Sequence, residues 1–183
     1  MRKLKHHERK LLKKVDFLEW KSDGGGREAA VLRRYHVQDR DDYVKYNRLA
    51  GLITKLVAQL KKLPPSDPFR IKKSDKLLGK LYELGVIDTK KSLEKAERIS
   101  AAAFCRRRLP VVMVRLKMAE TVRLAAQYVE QGHVRVGPNT VTDPGFLAKR
   151  TMEDFVTWAD SSKMKRHIAK YNDKLDDYDL LGN

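Results

Sequence analysis

Hydrophobic residues along this chain recur every three or four positions, except in two short stretches after residue 132 where they alternate. Lys3–Trp20 reads as an amphipathic helix with Leu4, Leu11, Leu12, Val15 and Leu18 on one face. Ser22–Gly26 is a flexible break. A second helix includes Val31, Leu32 and Tyr35, and Asp39 or Asp41 opens the longest one. Its stripe is Tyr46, Leu49, Ile53, Leu56, Leu60 and Leu63, a heptad-like seam too short for a coiled coil and expected to pack within the molecule. Pro64-Pro65 ends it, because neither proline has an amide donor and Leu63 is pushed extended. A short helix through Leu77, Leu78 and Leu81 follows and stops near Gly85. Lys90–Arg98 reads as a polar connector, and Ser100 as the cap of a short helix over Ala101–Phe104.

The chain is organised around Arg106–Val141, where two short amphipathic helices precede a strand–turn–strand. Leu109, Val112, Met113 and Leu116 form the first stripe, and Pro110 places that helix's start close to Arg107. Thr121 is the expected N-cap of the second helix, with Val122, Ala125, Ala126 and Val129 inward and Gly132 beyond its last turn. Val134 and Val136 alternate with His133 and Arg135, and Gly137-Pro138-Asn139 supplies the turn. Thr142–Gly145 makes another turn, and Phe155, Val156 and Trp158 suggest a strand closing a small sheet. Ser161 or Ser162 caps a last basic helix carrying Lys163, Lys165, Arg166 and Lys170. Asp173, Asp176, Asp177 and Asp179 form an acidic end, a composition typical of a disordered tail. The predicted class is α+β. A mostly helical N-terminal region (1–104) precedes a mixed module (105–172) and an acidic tail (173–183).

Charge changes this picture. The 183 residues hold 40 Lys and Arg against 24 Asp and Glu, a formal +16. Such a surplus implies a polyanionic partner and association that weakens with salt. A membrane surface is the rival polyanion, but no run reaches spanning length and no leader or lipidation motif is visible. Arg106, Arg107, Arg108, Arg115 and Lys117 sit in the central stretch with no acidic residue among them, and Arg123 and Arg135 could join them. Arginine forks match phosphate oxygens, which favours RNA contact over an ordinary solvated face. His133 could stack on a base or hydrogen-bond to it. Lys3, Lys5, Lys10, Lys13 and Lys14 crowd the first helix, either as a second RNA arm or as the wet side of a docked helix.

The residues for catalysis are not assembled in the sequence. The single Cys105 allows no internal disulfide, fits a reducing compartment and reads as a buried structural thiol. His6 and His7 are adjacent and have no cysteine pair to complete a zinc site. Gly24–Gly26 lacks the Lys-Ser/Thr of a phosphate loop. No enzyme and no cofactor are expected.

Arg107–Pro110, together with Arg115–Pro144, resembles the RNA-binding module of the small-subunit ribosomal protein S-four family. Gln131–Gly137 is the most specific piece, resembling that family's Gly-His-x-x-Val strand opening. Leu77–Ile87 is similar to the helical subdomain that precedes the module. Arg2–Trp20 and Met152–Trp158 resemble the family's nucleolar branch associated with U-three snoRNA. Lys117-Met118-Ala119 departs from the pattern, because many ribosomal members carry a glycine between the two helices. The resemblance implies a nucleolar, non-catalytic factor in small-subunit ribosome biogenesis. It would help U-three snoRNA pair with pre-ribosomal RNA, alongside the scaffold protein Mpp-ten and Imp-four. Two other readings stay open: a ribosomal protein kept in the mature subunit, and a basic adaptor for acidic protein segments.

Overall fold

In the chain's computed structural model, residues 2–14 and 26–174 are described. Val15, Leu18 and Trp20 of the expected first helix therefore lie outside the described residues, as do Ser22 and the acidic residues beyond Asp173. The first helix, α1, covers His6–Lys14. Arg2 pairs with Glu8, and the Lys5 amide donates to the Glu8 carboxylate at 2.9 Å, closing its first turn. Leu11 and Leu12 on it, and Leu4 ahead of it, are exposed.

The helical region continues with α2 (Arg27–Arg34), α3 (Arg40–Lys62), α4 (Pro68–Glu83) and α5 (Leu93–Glu97). Leu63 ends α3 in extended backbone (φ −79°, ψ 150°), as a residue before Pro64 should. Asp67 caps α4 by accepting from the Phe69 amide, and Pro68 occupies the first turn, where its missing donor costs nothing. This cap makes α4 a 16-residue helix, longer than its apolar positions alone suggested. The expected polar connector at Lys90–Arg98 contains α5, which exists because Ala96 is wholly buried against α3 and α4.

Two apolar clusters hold this region. Tyr35, Val37, Tyr46 and Ala50 meet Phe104 and Cys105 of α6 (Ala101–Cys105). Val57, Leu78, Leu81, Ile87 and Ala96 form the other. Burial raises the Cys105 thiol pKa, consistent with an inert structural cysteine. The expected α3 stripe is only half correct. Tyr46 and Leu60 are buried, but Ala50 and Val57 complete the inner face, while Leu49 and Leu56 stand 44% and 42% exposed. They lie on the flank of the helix, beyond the reach of the elements packed on its inner side.

The third cluster belongs to α7 (Leu109–Arg115), α8 (Val122–Glu130) and a three-stranded antiparallel sheet. Its strands are β1 (Val134–Val136), β2 (Asn139–Thr140) and β3 (Val156–Trp158), in the order β2-β1-β3. Thr121 caps α8 by accepting from the Leu124 amide, and Gly132 leaves that helix at φ +73°. Leu109, Val112 and Met113 are fully buried, whereas Leu116 is 39% exposed and departs from the expected stripe because α7 ends at Arg115. Phe155 is also exposed, standing in the 3-10 turn Arg150–Phe155 ahead of the closing strand. Ser162 caps α9 (Lys163–Tyr171).

Candidate nucleic-acid interface

The three consecutive arginines are sorted by the backbone that carries them. Leu109 donates its amide to the Phe146 carbonyl at 2.8 Å, and Ala148 donates to the Arg107 carbonyl at 2.9 Å. This clamp, with a bridge between Arg108 and Leu147, turns two side chains inward. Arg107 is 4% exposed and Arg108 3%. Arg107 donates through Nε and Nη2 to the Ala148 carbonyl at 3.1 and 2.6 Å and pairs with Glu153 at 2.5 Å. Arg108 pairs with Asp42 at 2.8 Å, beside the Tyr46 hydroxyl. Both were expected on phosphates, and the structure corrects this. Both side chains are enclosed and hold protein acceptors, so phosphate could not reach them without opening the core. Arg106, at the end of α6, is exposed and makes no ion pair among the described residues.

Gly85 explains how so large a cation fits inside. It sits at φ +73°, and a Cβ there would lie 2.7 Å from the Arg107 Cζ. The guanidinium occupies the space a side chain would take. Glu153 holds Arg107 with one oxygen and Arg115 with the other, each at 2.5 Å. Its partial burial alone would raise its pKa, but the hydrogen bonds from Arg107 and Arg115 outweigh that and hold it below the usual carboxylate value. Arg115 remains half-exposed, so one edge of its fork is anchored and the rest faces outward.

Lys117 and Arg123 lie on the connection and first turn at one end of the α7–α8 pair. Both are exposed with no ion pair among the described residues. Lys117 adopts φ +60°, the left-handed conformation that glycine takes most easily, so a lysine makes the sharp bend between α7 and α8. The connection therefore carries an exposed cation at its bend.

Arg135 on β1 and His133 just ahead of it form a separate group. Nδ1 of His133 lies 3.1 Å from the Ser162 Oγ, and its ring meets Tyr128 edge-on at 6.3 Å. Arg135 donates to the Thr157 hydroxyl at 3.1 Å and pairs with Asp160, which also holds Lys165. The Lys165 hydrogen bond is the main reason Asp160 has a lowered pKa. His133 and Arg135 are therefore tied to the residues that open α9, and both are partly buried. Lys3, Lys5, Lys10 and Lys13 are exposed on the α1 segment, and Lys14 closes that helix. The structure thus gathers Arg115, Lys117 and Arg123 at one end of a helix pair, keeps Arg106 at the other, and carries the α1 lysines on a helix of their own.

Arg150 and Glu153 were not singled out in the sequence. Arg150 stacks over Tyr82 at 4.3 Å and donates to the Ile87 carbonyl at 2.9 Å, tying the module to the helical region. Nothing local in the sequence links either residue to its distant partner. Among the described residues no helix is long and apolar enough to cross a membrane.

Two family models cover this arrangement. The ribosomal protein S4/S9 N-terminal domain matches residues 3–105, and the S4 domain matches residues 107–154, from the buried arginines to Glu153. The chain is 56% identical to the U3 small nucleolar ribonucleoprotein protein IMP3 of Saccharomyces cerevisiae, over 98% of this chain and 99% of that protein. The chain belongs to the S4 family, on its IMP3 branch. The human IMP3 protein is 54% identical over 98% of each chain. The small ribosomal subunit protein uS4 of Hyperthermus butylicus is more distant, 30% identical over 74% of this chain and 76% of its own.

Proposed function

We propose that this protein is a non-catalytic RNA-binding component of the U3 snoRNP that acts in small-subunit ribosome biogenesis. In this reading it works in the nucleolus and promotes pairing of U3 snoRNA with pre-ribosomal RNA for early processing. Mpp-ten and Imp-four are its expected neighbours in the small-subunit processome, a reading that rests on resemblance. Full-length likeness to proteins named as U3 snoRNP members supports the particle. The observation that carries the RNA contact is the sorting of cations around α7 and α8: Arg107 and Arg108 turn inward, while Arg106, Lys117 and Arg123 stay exposed and unpaired among the described residues. Arg115 and Arg135 lend partly satisfied forks, and His133 is a rigid neighbour held by Ser162.

Pairing two RNA strands requires relief of their repulsion and a high local concentration of each. The α1 lysines supply a cationic surface separate from α7–α8, so one body can hold two segments. The test is annealing of a U3 snoRNA fragment to its pre-ribosomal complement. The intact chain should accelerate it, and a variant lacking residues 1–21 or carrying R106A/K117A/R123A should not. Equal acceleration by a scrambled peptide of equal charge would reduce the effect to bulk charge and sink the pairing reading. The triple variant should also lose on the order of 2–4 kcal/mol of RNA affinity and about three units of salt slope while keeping its melting temperature.

A further inference from the structure

The helical region carries an apolar groove that the RNA reading does not use. Between α3 and α4 lies an open cleft of about 430 Å³, with Leu56, Leu60, Phe69 and Leu77 along its floor and walls. The strip extends along the same flank of α3 through Leu52 and Leu49, which are 54% and 44% exposed. Phe69 is 56% exposed. Single exposed leucines are ordinary, but a contiguous row on two adjacent helices marks an interaction surface.

Charge says what fits it. Phe69, Lys73, Lys76 and Lys80 stand three and four residues apart, so they share one face of α4. That face puts three lysines along one wall, and no acidic side chain lines the cleft. Nucleic acid fits poorly. Aliphatic leucines offer bases no stacking plane, and the one aromatic ring has Lys73 Nζ over it at 5.3 Å. A helix with apolar residues on one face and carboxylates on its edge would fill the strip and meet the lysine ladder. We propose that the α3–α4 groove is a docking site for an acidic amphipathic helix of a protein partner.

The test uses the full chain, a fluorescent synthetic helix with leucines at i, i+3, i+4 and i+7 among glutamates, and a scrambled peptide of the same composition. The amphipathic peptide should bind saturably and the scrambled one should not. Leu56→Asp and Lys76→Glu should each weaken binding by roughly tenfold or more, an equivalent of about 1.4 kcal/mol. Both positions are exposed, so melting curves should stay unchanged. Affinity for structured RNA should also be unchanged in Leu56→Asp, which separates failure here from failure of the RNA reading. Equal binding of the scrambled peptide would overturn the proposal, as would loss of RNA rather than peptide affinity in Leu56→Asp. The chain's own acidic end has Leu175, Tyr178, Leu180 and Leu181 among aspartates. If removing residues 175–183 raised peptide affinity, the groove would belong to that segment and the partner proposal would fall.

Discussion

Helices α3 and α7 carry the same kind of apolar stripe and have opposite environments. The seven residues of α7 bury Leu109, Pro110, Val112 and Met113. The 23 residues of α3 also bury only four, Tyr46, Ala50, Val57 and Leu60. The short helix is enclosed by α8, the sheet and the Phe146–Ala148 segment, whereas the long one has neighbours on one side. Periodicity thus identifies a helix and its apolar face. The number of elements that pack against that face decides how much of it is core.

The contrast can be broken most strongly at α7. Met113→Ala should cost roughly 2–5 kcal/mol, because it empties a wholly buried site, and urea unfolding would measure it. A loss under about 1 kcal/mol would show that the module relaxes around the gap. Removing the guanidinium in Arg107→Ala should cost about 3 kcal/mol, since the Ala148 carbonyl and one Glu153 oxygen lose their donor inside the protein. Gly85→Ala should cost about 1–3 kcal/mol from its left-handed backbone, and it should also push Arg107 off Glu153. A crystal structure of that variant with Arg107 unmoved would contradict the close-approach argument.

Acid sharpens the same comparison. Glu153 has a folded-state pKa below its unfolded value of about 4.5, so its pairs stabilise the protein fully above that value. Their contribution is lost as pH falls through the lower, folded pKa. The melting-temperature gap between the native chain and Glu153→Gln should therefore be constant near neutral pH and narrow in acid below about pH 4. The smallest effect is expected on α3, where Leu56→Ala should change stability by no more than about 0.5 kcal/mol.

Local chemistry was legible in the sequence. The Pro64-Pro65 stop, the Thr121 cap, the Gly132 exit and the hairpin after it stand as read, and of Ser161 and Ser162 it is the second that caps α9. Each depends on residues within a few positions of one another. What failed to show depends on distant partners. Arg107 and Arg108 read as a phosphate-facing run because Glu153 and Asp42, which take them inward, lie far away in the chain. Leu49 and Leu56 read as core because a stripe does not reveal which neighbours are missing. Helix α5 escaped notice because one buried alanine anchors it.

The Arg108–Asp42 and Arg150–Ile87 bonds span 66 and 63 residues, and each joins the helical half to the later module. During synthesis the helical half emerges first, before the Arg108 and Arg150 donors that Asp42 and the Ile87 carbonyl accept from in the finished fold. These two bonds therefore close only after residues 108 and 150 leave the ribosome exit tunnel, and long-range closure of this kind slows folding. A nascent chain halted before residue 107 should be markedly more open to protease than the same segment in the finished protein.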